Sequence, residues 1–179
     1  MDPLTEYHVE ARPDRCIVQV YDADAYLGDT AAMRAAEVQV VAGNGYHLYF
    51  KSLQPDIEVT ITIRVWDQPH RPPAHAEGSV PVDLESITGT LVVNQLSLGP
   101  AGMMELPRPG VYAGHAWWIN RESTLKRYET ALVRLTEEDS ADDALRQAFA
   151  DSAGHEQYVL DLHFVRESED EDEDEDEED

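Results

Sequence analysis

The sequence predicts a mainly β protein, an antiparallel β-sandwich of jelly-roll or flattened-barrel type, and three observations support that class. Residues 57–66 alternate apolar and polar side chains without a fault, which is typical of a strand with one buried face and one wet face. Such strands belong to antiparallel sheets, because strands covered on both faces are apolar throughout. Seven to nine short segments with turn residues between them complete the pattern. We expect residues 57–65 to form the central strand, with their Ile and Val side chains in the core.

The first third of the chain contains two strands and a hairpin. Residues 5–11 and 15–21 alternate in the manner of strands, and an Arg-Pro-Asp sequence marks the turn between them. Residues 23–33 are small and polar and favour a loop or a turn of helix. Residues 38–41 and 46–50 flank an Asn-Gly pair, which between apolar runs predicts a β-hairpin.

The middle of the chain contains further strands. Three prolines place residues 67–75 in a surface loop, because proline cannot donate a hydrogen bond to a sheet. Residues 80–84 alternate around Pro81, so we expect an edge strand or a bulge there. Residues 87–93, which a short Leu-Ser-Leu segment extends, and residues 111–120 are the next strands. The second of these has tryptophan on both faces, which implies burial of both or exposure of one to a partner.

The spacing of apolar residues changes between residues 121 and 154. Leucine and tyrosine recur there at steps of three and four, which indicates a helix, and a second helix follows with Asp142 and Asp143 in its first turn. The pattern leaves open whether the part up to residue 137 is helix or strand. Residues 157–164 alternate again and form the closing strand. We expect the helical insert to cover one end or an open edge of the sandwich.

The chain is strongly acidic. It has 37 Asp and Glu residues against 13 Lys and Arg, a net charge of −24. Residues 167–179 hold twelve of the acids and no base, so the part up to Arg166 has 25 acids and 13 bases, a net charge of −12. Such a surface repels phosphate backbones and anionic lipids and attracts basic proteins. We therefore expect a basic protein partner, and binding to neither nucleic acid nor membrane.

Charge also predicts how the chain is divided. A run of like charges repels itself and does not fold, so residues 167–179 are predicted to be a disordered tail after one domain at 1–166. The start of the chain has no signal-peptide pattern, and no apolar segment reaches the length of a membrane span. The single cysteine, Cys16, has no partner for a disulfide. These features favour a cytoplasmic protein.

Motifs for catalysis or cofactor binding are missing from the sequence. There is no Gly-x-Ser-x-Gly elbow and no dinucleotide or phosphate loop. His70, His75 and Glu77 lie within eight residues of one another, but their spacing is not that of a zinc site. We predict no metal and no cofactor. The function predicted is that of a non-catalytic binding protein, and an enzyme whose groups converge from distant strands is a less favoured alternative.

Two groups of residues are candidates for contact with a partner. The acids of the tail provide charge, and tryptophans of the strands provide apolar area; the candidates are Glu167, Glu169, Asp170, Glu171, Asp172, Glu173, Asp174, Trp66 and Trp118. The main hypothesis is an inhibitor or immunity-type partner of a basic nuclease or another nucleic-acid-binding protein. The alternative is a sandwich that binds a small molecule or glycan on an exposed Trp66, Trp117 or Trp118. The oligomeric state stays open.

Several short segments, in this order, resemble the competence protein J family. They are an apolar strand after a glycine turn, an alternating strand, Gly-Thr-Leu, Leu-Pro-Arg-Pro-Gly-Val-Tyr and Glu-Gln-Tyr-Val-Leu, at residues 42–50, 57–65, 89–91, 106–112 and 156–160. The resemblance covers residues 7–165 and implies a small β-rich inhibitor of a DNA-entry nuclease. The insert at 121–154 and the acidic tail depart from the family's pattern, and no inhibitory residue is carried over by position.

Overall fold

The computed structural model describes residues 1–135 and 141–169. Within them the chain forms ten strands, three α-helices and one short 3-10 turn, Leu96–Leu98. The strands are β1 (Thr5–Ala11), β2 (Ile17–Asp22), β3 (Val41–Gly43), β4 (His47–Lys51), β5 (Val59–Trp66), β6 (Gly78–Ser86), β7 (Thr90–Asn94), β8 (Pro100–Glu105), β9 (Gly110–Ile119) and β10 (Gln157–Arg166). The helices are α1 (Thr30–Gln39), α2 (Arg121–Leu135) and α3 (Ala141–Ser152).

The strands form two open sheets that face each other, which confirms the predicted sandwich. The first sheet has the order β1-β5-β10-β9-β6 and the second has the order β3-β4-β2-β7-β8. Neighbouring strands are antiparallel except β5 and β10, which run parallel. The prediction that residues 57–65 form the central strand was wrong, because β10 inserts between β5 and β9 and takes the central place. A parallel pair needs a long connection, and the 90 residues between β5 and β10 supply it.

The core lies between the two sheets. The predicted inward face of residues 57–65 is confirmed, since each of its apolar side chains is at most 1% exposed: Ile57, Val59, Ile61, Ile63 and Val65. The four of them that lie on β5 meet Val18 and Val20 of β2 and Leu91 and Val93 of β7 in one cluster. Burying apolar side chains of this size is worth about 1.5–3 kcal/mol each, so this face contributes a substantial part of the hydrophobic stabilisation of the sandwich.

Along one side of the sandwich, strand β1 of the first sheet packs closely on strand β8 of the second. Tyr7 and Val9 of β1 lie over Gly102 of β8, where a Cβ atom would stand 1.9 Å from the Tyr7 hydroxyl oxygen. On the other side β6 lies against β3. The prediction that residues 80–84 form an edge strand is confirmed, since β6 pairs with β9 alone among the described strands. Edge strands that pack against another sheet are protected from pairing with foreign chains.

Helix α1 replaces one predicted strand. It begins at Thr30 and continues to Gln39, and the side chain of the preceding Asp29 caps it by accepting hydrogen bonds from the backbone N–H groups of Ala31 and Ala32. The prediction of a strand over residues 38–41 was therefore wrong except for Val41, which begins β3. The Asn-Gly hairpin is confirmed: β3 pairs with β4, and the Asn44 side chain accepts from two backbone N–H groups of the turn.

The helical insert is confirmed, and helix α2 decides the open question up to Leu135. The Arg121 guanidinium donates two hydrogen bonds to the carbonyl oxygen of Lys51, at 3.1 and 3.0 Å. The Tyr128 hydroxyl donates to Asp56 (3.1 Å), and the Tyr128 ring stacks on Phe149 of α3. The helices therefore cover the end of the sandwich where β4 leads into β5. The remaining residues of the open question, 136 and 137, lie outside the described part.

Most strand limits differ from the prediction by one or two residues, and the segment at residues 87–98 differs most. Strand β7 begins at Thr90, because the preceding residues form a turn held by Asp22, whose carboxylate accepts from the hydroxyls of Ser86 and Thr88. The 3-10 turn ends the segment that was expected to extend this strand. The division into one domain at 1–166 and a disordered tail stays a prediction, since residues 170–179 lie outside the described residues.

Candidate partner-binding surfaces

The outer face of the first sheet carries polar and aromatic side chains in rows across the strands. The strand register places Glu6, Arg64, Asp161, His115 and Pro81 at matching positions of all five strands. The polar positions of residues 57–66 and the tryptophan-rich face of β9 thus meet on one surface. Charged side chains lie side by side there although they are far apart in sequence.

A buried carboxylate organises the middle of this face. Asp161 accepts two hydrogen bonds from the Arg64 guanidinium, at 2.7 and 2.9 Å, and one each from the indole N–H groups of Trp66 (2.8 Å) and Trp117 (2.7 Å). Burial alone raises the pKa of Asp161, but these hydrogen bonds and the charge of Arg64 outweigh it and lower that pKa. Asp161 therefore stays ionised and fixes the positions of one arginine and two indoles.

The loop between β5 and β6 covers part of this network. The His70 ring stacks on Trp66 at 3.8 Å between centroids, and the His75 ring meets Trp117 edge-on at 5.6 Å. Glu77 instead accepts hydrogen bonds from the backbone N–H groups that lead into α2. The three side chains of the weak zinc candidate thus have separate partners. Among the described residues no group of three or more His, Cys, Asp and Glu is arranged to hold a metal ion.

The tryptophans of the strands are buried, so they do not form the exposed platform that the alternative function requires. Trp66 is 6% exposed and Trp118 is 9% exposed, and Trp117 is buried as well. Trp66 and Trp117 turn their N–H groups to Asp161, whereas Trp118 packs in the core over Gly78, where a Cβ would stand 2.3 Å from its ring. Contact of Trp66 or Trp118 with a partner stays a prediction, and only the narrow exposed part of each ring is open to it.

The start of the predicted tail is exposed. Glu167 and Glu169 follow β10, and Arg166 lies 3.6 Å from Glu169 in an ion pair at the surface. Ion pairs of this exposed kind contribute little to stability. The candidates Asp170, Glu171, Asp172, Glu173 and Asp174 lie outside the described residues. The binding role of the acidic tail stays a prediction.

A pair of glutamates lies where β1 ends and β5 begins, and sequence reasoning missed it. Glu10 pairs in register with Thr60, and its carboxylate stands 3.1 Å from the position that a Cβ would take at Gly154. The backbone N–H of Gly154 donates to the carbonyl oxygen of Glu58. Partial burial and, after it, the neighbouring Glu10 carboxylate raise the pKa of Glu58. Both residues are at wet positions of their alternating segments, but only the pairing of β1 with β5 brings them together.

A cleft of about 610 Å³ lies beside this pair, between the first sheet and helices α2 and α3. We name it the Glu58 cleft. Its polar side is formed by the ends of β1 and β5 and its apolar side by the helices; the lining includes Arg12, Asp56, Glu58, Leu132, Leu145 and Phe149. Arg12 forms an ion pair with Asp56 at 2.6 Å. Charged and apolar surface therefore face each other across a cleft large enough for a side chain.

A second cleft, of about 500 Å³, lies on the outer face of the second sheet between α1 and the 3-10 turn. Ile17, Met33 and Leu96 provide its apolar part. The turn beside it is strained, because Arg15 and Cys16 have φ angles of 53° and 67°, values that favour glycine or asparagine. This turn connects Asp14 to β2 in two residues.

Comparison with known proteins identifies the fold. No protein-family model matches the sequence, and no curated protein sequence matches it. The fold is shared with the crystal structure of ComJ from Bacillus subtilis, an inhibitor of the DNA-degrading activity of NucA: TM-score 0.56, 12% identity, over 92% of this chain and 98% of ComJ. It is also shared with the structure of crocagin biosynthetic gene J: TM-score 0.52, 15% identity, over 91% of this chain and 100% of that one.

The resemblance inferred from short sequence segments is thus confirmed for the fold. At 12% and 15% identity the likeness concerns the arrangement of strands and helices. The alignment spans nearly the whole of both chains, so it includes most of the sandwich. In the described part of this chain no helix has the length and apolar composition needed to cross a bilayer.

Proposed function

We propose that this chain is a non-catalytic acidic binding protein that inhibits or escorts a basic partner, a nuclease or another nucleic-acid-binding protein. The observation that carries the proposal is the fold shared with ComJ, which inhibits a nuclease, over 92% of this chain. The net charge of −24 supports it, because a protein that binds DNA or RNA presents basic surface that an acidic protein complements.

The geometry of the buried groups is consistent with binding rather than turnover. Asp161 holds four hydrogen bonds from its own chain, so its oxygens are occupied by Arg64, Trp66 and Trp117. A general base needs a free lone pair within reach of a substrate proton. A cytoplasmic location belongs to the same proposal, since Cys16 is the one cysteine of the chain and a disulfide framework needs more.

Association kinetics test the proposal. The purified chain and a chain that ends at Arg166 are offered to basic nucleases, and both inhibition and association rates are measured at two salt concentrations. We expect association to slow markedly as salt rises, because charge mainly accelerates encounter, and dissociation to change less. The shortened chain should associate more slowly and melt at nearly the same temperature, since the tail is predicted not to fold.

Two results would count against this function. One is that the specific partners recovered are acidic or neutral proteins. The other is that neither salt nor removal of residues 167–179 changes the association rate. A control variant separates the effect of net charge from that of the tail. In it a neutral Gly-Ser segment replaces the tail, and the same number of acids is added at distant surface positions.

A further inference from the structure

We propose that the Glu58 cleft binds an arginine side chain of the basic partner, with the guanidinium at Glu10 and Glu58 and the methylene stem along the apolar wall of α3. This inference rests on the proposed function, because it supplies the contact that the binding protein would make. It commits to arginine on two grounds: the carboxylates beside the cleft and its apolar wall.

Arg12 and Arg146 balance Asp56 and Glu58 in the lining of the cleft, and the nearby Glu10 adds one further negative charge. Asp56 is paired with Arg12 at 2.6 Å, and the Tyr128 hydroxyl donates to the same carboxylate. Glu58 instead faces the carboxylate of Glu10: partial burial and, after it, Glu10 raise the pKa of Glu58, and the charge of Arg12 opposes that rise. A guanidinium between the two carboxylates would remove the repulsion and could form a charge-assisted hydrogen bond with each.

The wall of the cleft suits the rest of an arginine side chain. Leu145 and Phe149 stand four residues apart on α3, so they lie on one face of the helix, and both are half-buried. Tyr128 stacks on Phe149 from the neighbouring helix and holds its ring in place. An arginine buries its methylene stem on apolar surface and its planar head also stacks on aromatic rings. Lysine has the same charge as arginine but no planar group that could stack on the Phe149 ring.

One lining residue carries the same charge as the proposed ligand, which provides a second test. Arg146 lies on α3 at the cleft, exposed to solvent. Its charge repels an incoming guanidinium, whereas the charge of Glu58 attracts it. Removal of the two charges should therefore shift affinity in opposite directions. A general effect of net charge gives the same two signs at any surface position, so matched controls on another face are needed.

The test uses the full chain and N-acetyl-argininamide as the probe, followed by amide NMR. We expect shifts at the amides of Glu58, Phe149 and Ala150, and weaker binding of N-acetyl-lysinamide. Glu58→Gln should weaken the probe about threefold or more, the effect of one lost ionic contact. Arg146→Gln should strengthen it. The controls Asp83→Asn on β6 and Arg71→Gln in the loop before β6 make the same charge changes elsewhere and should shift affinity less than about 1.5-fold.

The outcomes separate this inference from the proposed function. Shifts outside the cleft, equal binding of the lysine probe, or equal effects of Glu58→Gln and Asp83→Asn overturn the arginine site. If the chain still inhibits a basic nuclease in those cases, the proposed function stands without it. If the probe binds as expected but no basic protein associates, the arginine site stands and the proposed function fails. Thermal melts of each variant show that the exposed substitutions leave the fold intact.

Discussion

Asp161→Asn is expected to remove a large part of the stability of the sandwich, because its carboxylate accepts four hydrogen bonds in a buried place. The substitution replaces one acceptor oxygen by an NH₂ donor, which then faces donors of Arg64 or the indoles. Removal of one partner of a buried ion pair costs about 3–5 kcal/mol. The Arg64 side chain keeps 22% of its surface exposed, so water relieves part of its charge and we expect about 3 kcal/mol.

Urea unfolding followed by tryptophan fluorescence measures this loss, since Trp66 and Trp117 report directly on the network. For a chain of this size a loss of 3 kcal/mol corresponds to a fall in melting temperature of about 6–12 °C. Asp83→Asn, at an exposed position of the edge strand β6, is the matched control and should stay within about 0.5 kcal/mol of the parent. A loss below about 1 kcal/mol for Asp161→Asn would show that the network does not hold the sheet.

The pH dependence gives a second readout. The pKa of Asp161 is lowered in the folded state, so its ionised form contributes stability above the ordinary aspartate pKa of 3.8. That contribution is lost as the pH falls through the folded-state pKa. The difference in unfolding free energy between the parent and Asp161→Asn should therefore be full at pH 7 and shrink below pH 3.8. A difference that stays constant down to pH 3 would refute the ionic explanation.

Two further substitutions test the fold itself. Ile61→Asp places a charge at a fully buried core position and should cost several kcal/mol, most of the stability of a typical domain. The control Ser79→Asp, at the surface, should leave the stability nearly unchanged. A melting temperature unchanged by Ile61→Asp would contradict the sandwich. Arg15→Asn should stabilise the folded chain by about 0.5–1 kcal/mol, because asparagine tolerates the φ of 53° better than arginine does. Arg71→Asn is the control. A loss of stability in Arg15→Asn would mean that the Arg15 side chain makes contacts that outweigh the backbone strain.

Side-chain alternation predicted the faces of single strands well and their neighbours poorly. The burial of residues 57–65 follows from a period of two, which is a local property of the sequence. The place of β5 next to β1 and β10 depends on pairing between segments far apart. Arg64 and Asp161 are separated by 97 positions, and no local pattern indicates that they meet. The Asp161 network was therefore beyond prediction, although each of its residues lies on a strand that was predicted.

The strand preference of single residues gave a wrong prediction where packing of a whole helix determines the structure. Residues 38–41 are rich in valine, and β-branched residues favour strands. Helix α1 nevertheless runs to Gln39, because Ala32 and Ala36 bury one side of it in a cluster with Ile17 and Tyr49 of the second sheet. Apolar contact over a whole helix outweighs the preference of its last residues.

The acidic composition contains two kinds of carboxylate that the sequence does not distinguish. Asp22, Glu156 and Asp161 are buried and hydrogen-bonded within the fold. Burial raises the pKa of Glu156 even though hydrogen bonds from Tyr158, Ser52 and Gln54 favour its ionised form. Carboxylates of this kind hold strands and turns together and are shielded from solvent.

Exposed carboxylates such as Glu10 and Glu58 have the opposite property, since they contribute little to the fold and their field reaches solvent. Substitution of the two kinds should therefore separate stability from association. Asp161→Asn should lower the melting temperature, and at temperatures where it stays folded it should leave the salt dependence of association unchanged. Glu58→Gln should leave the melting temperature nearly unchanged and weaken the salt dependence of association. If both substitutions changed association with the proposed basic partner equally in the folded state, that partner would respond to net charge rather than to the carboxylates where β1 ends and β5 begins.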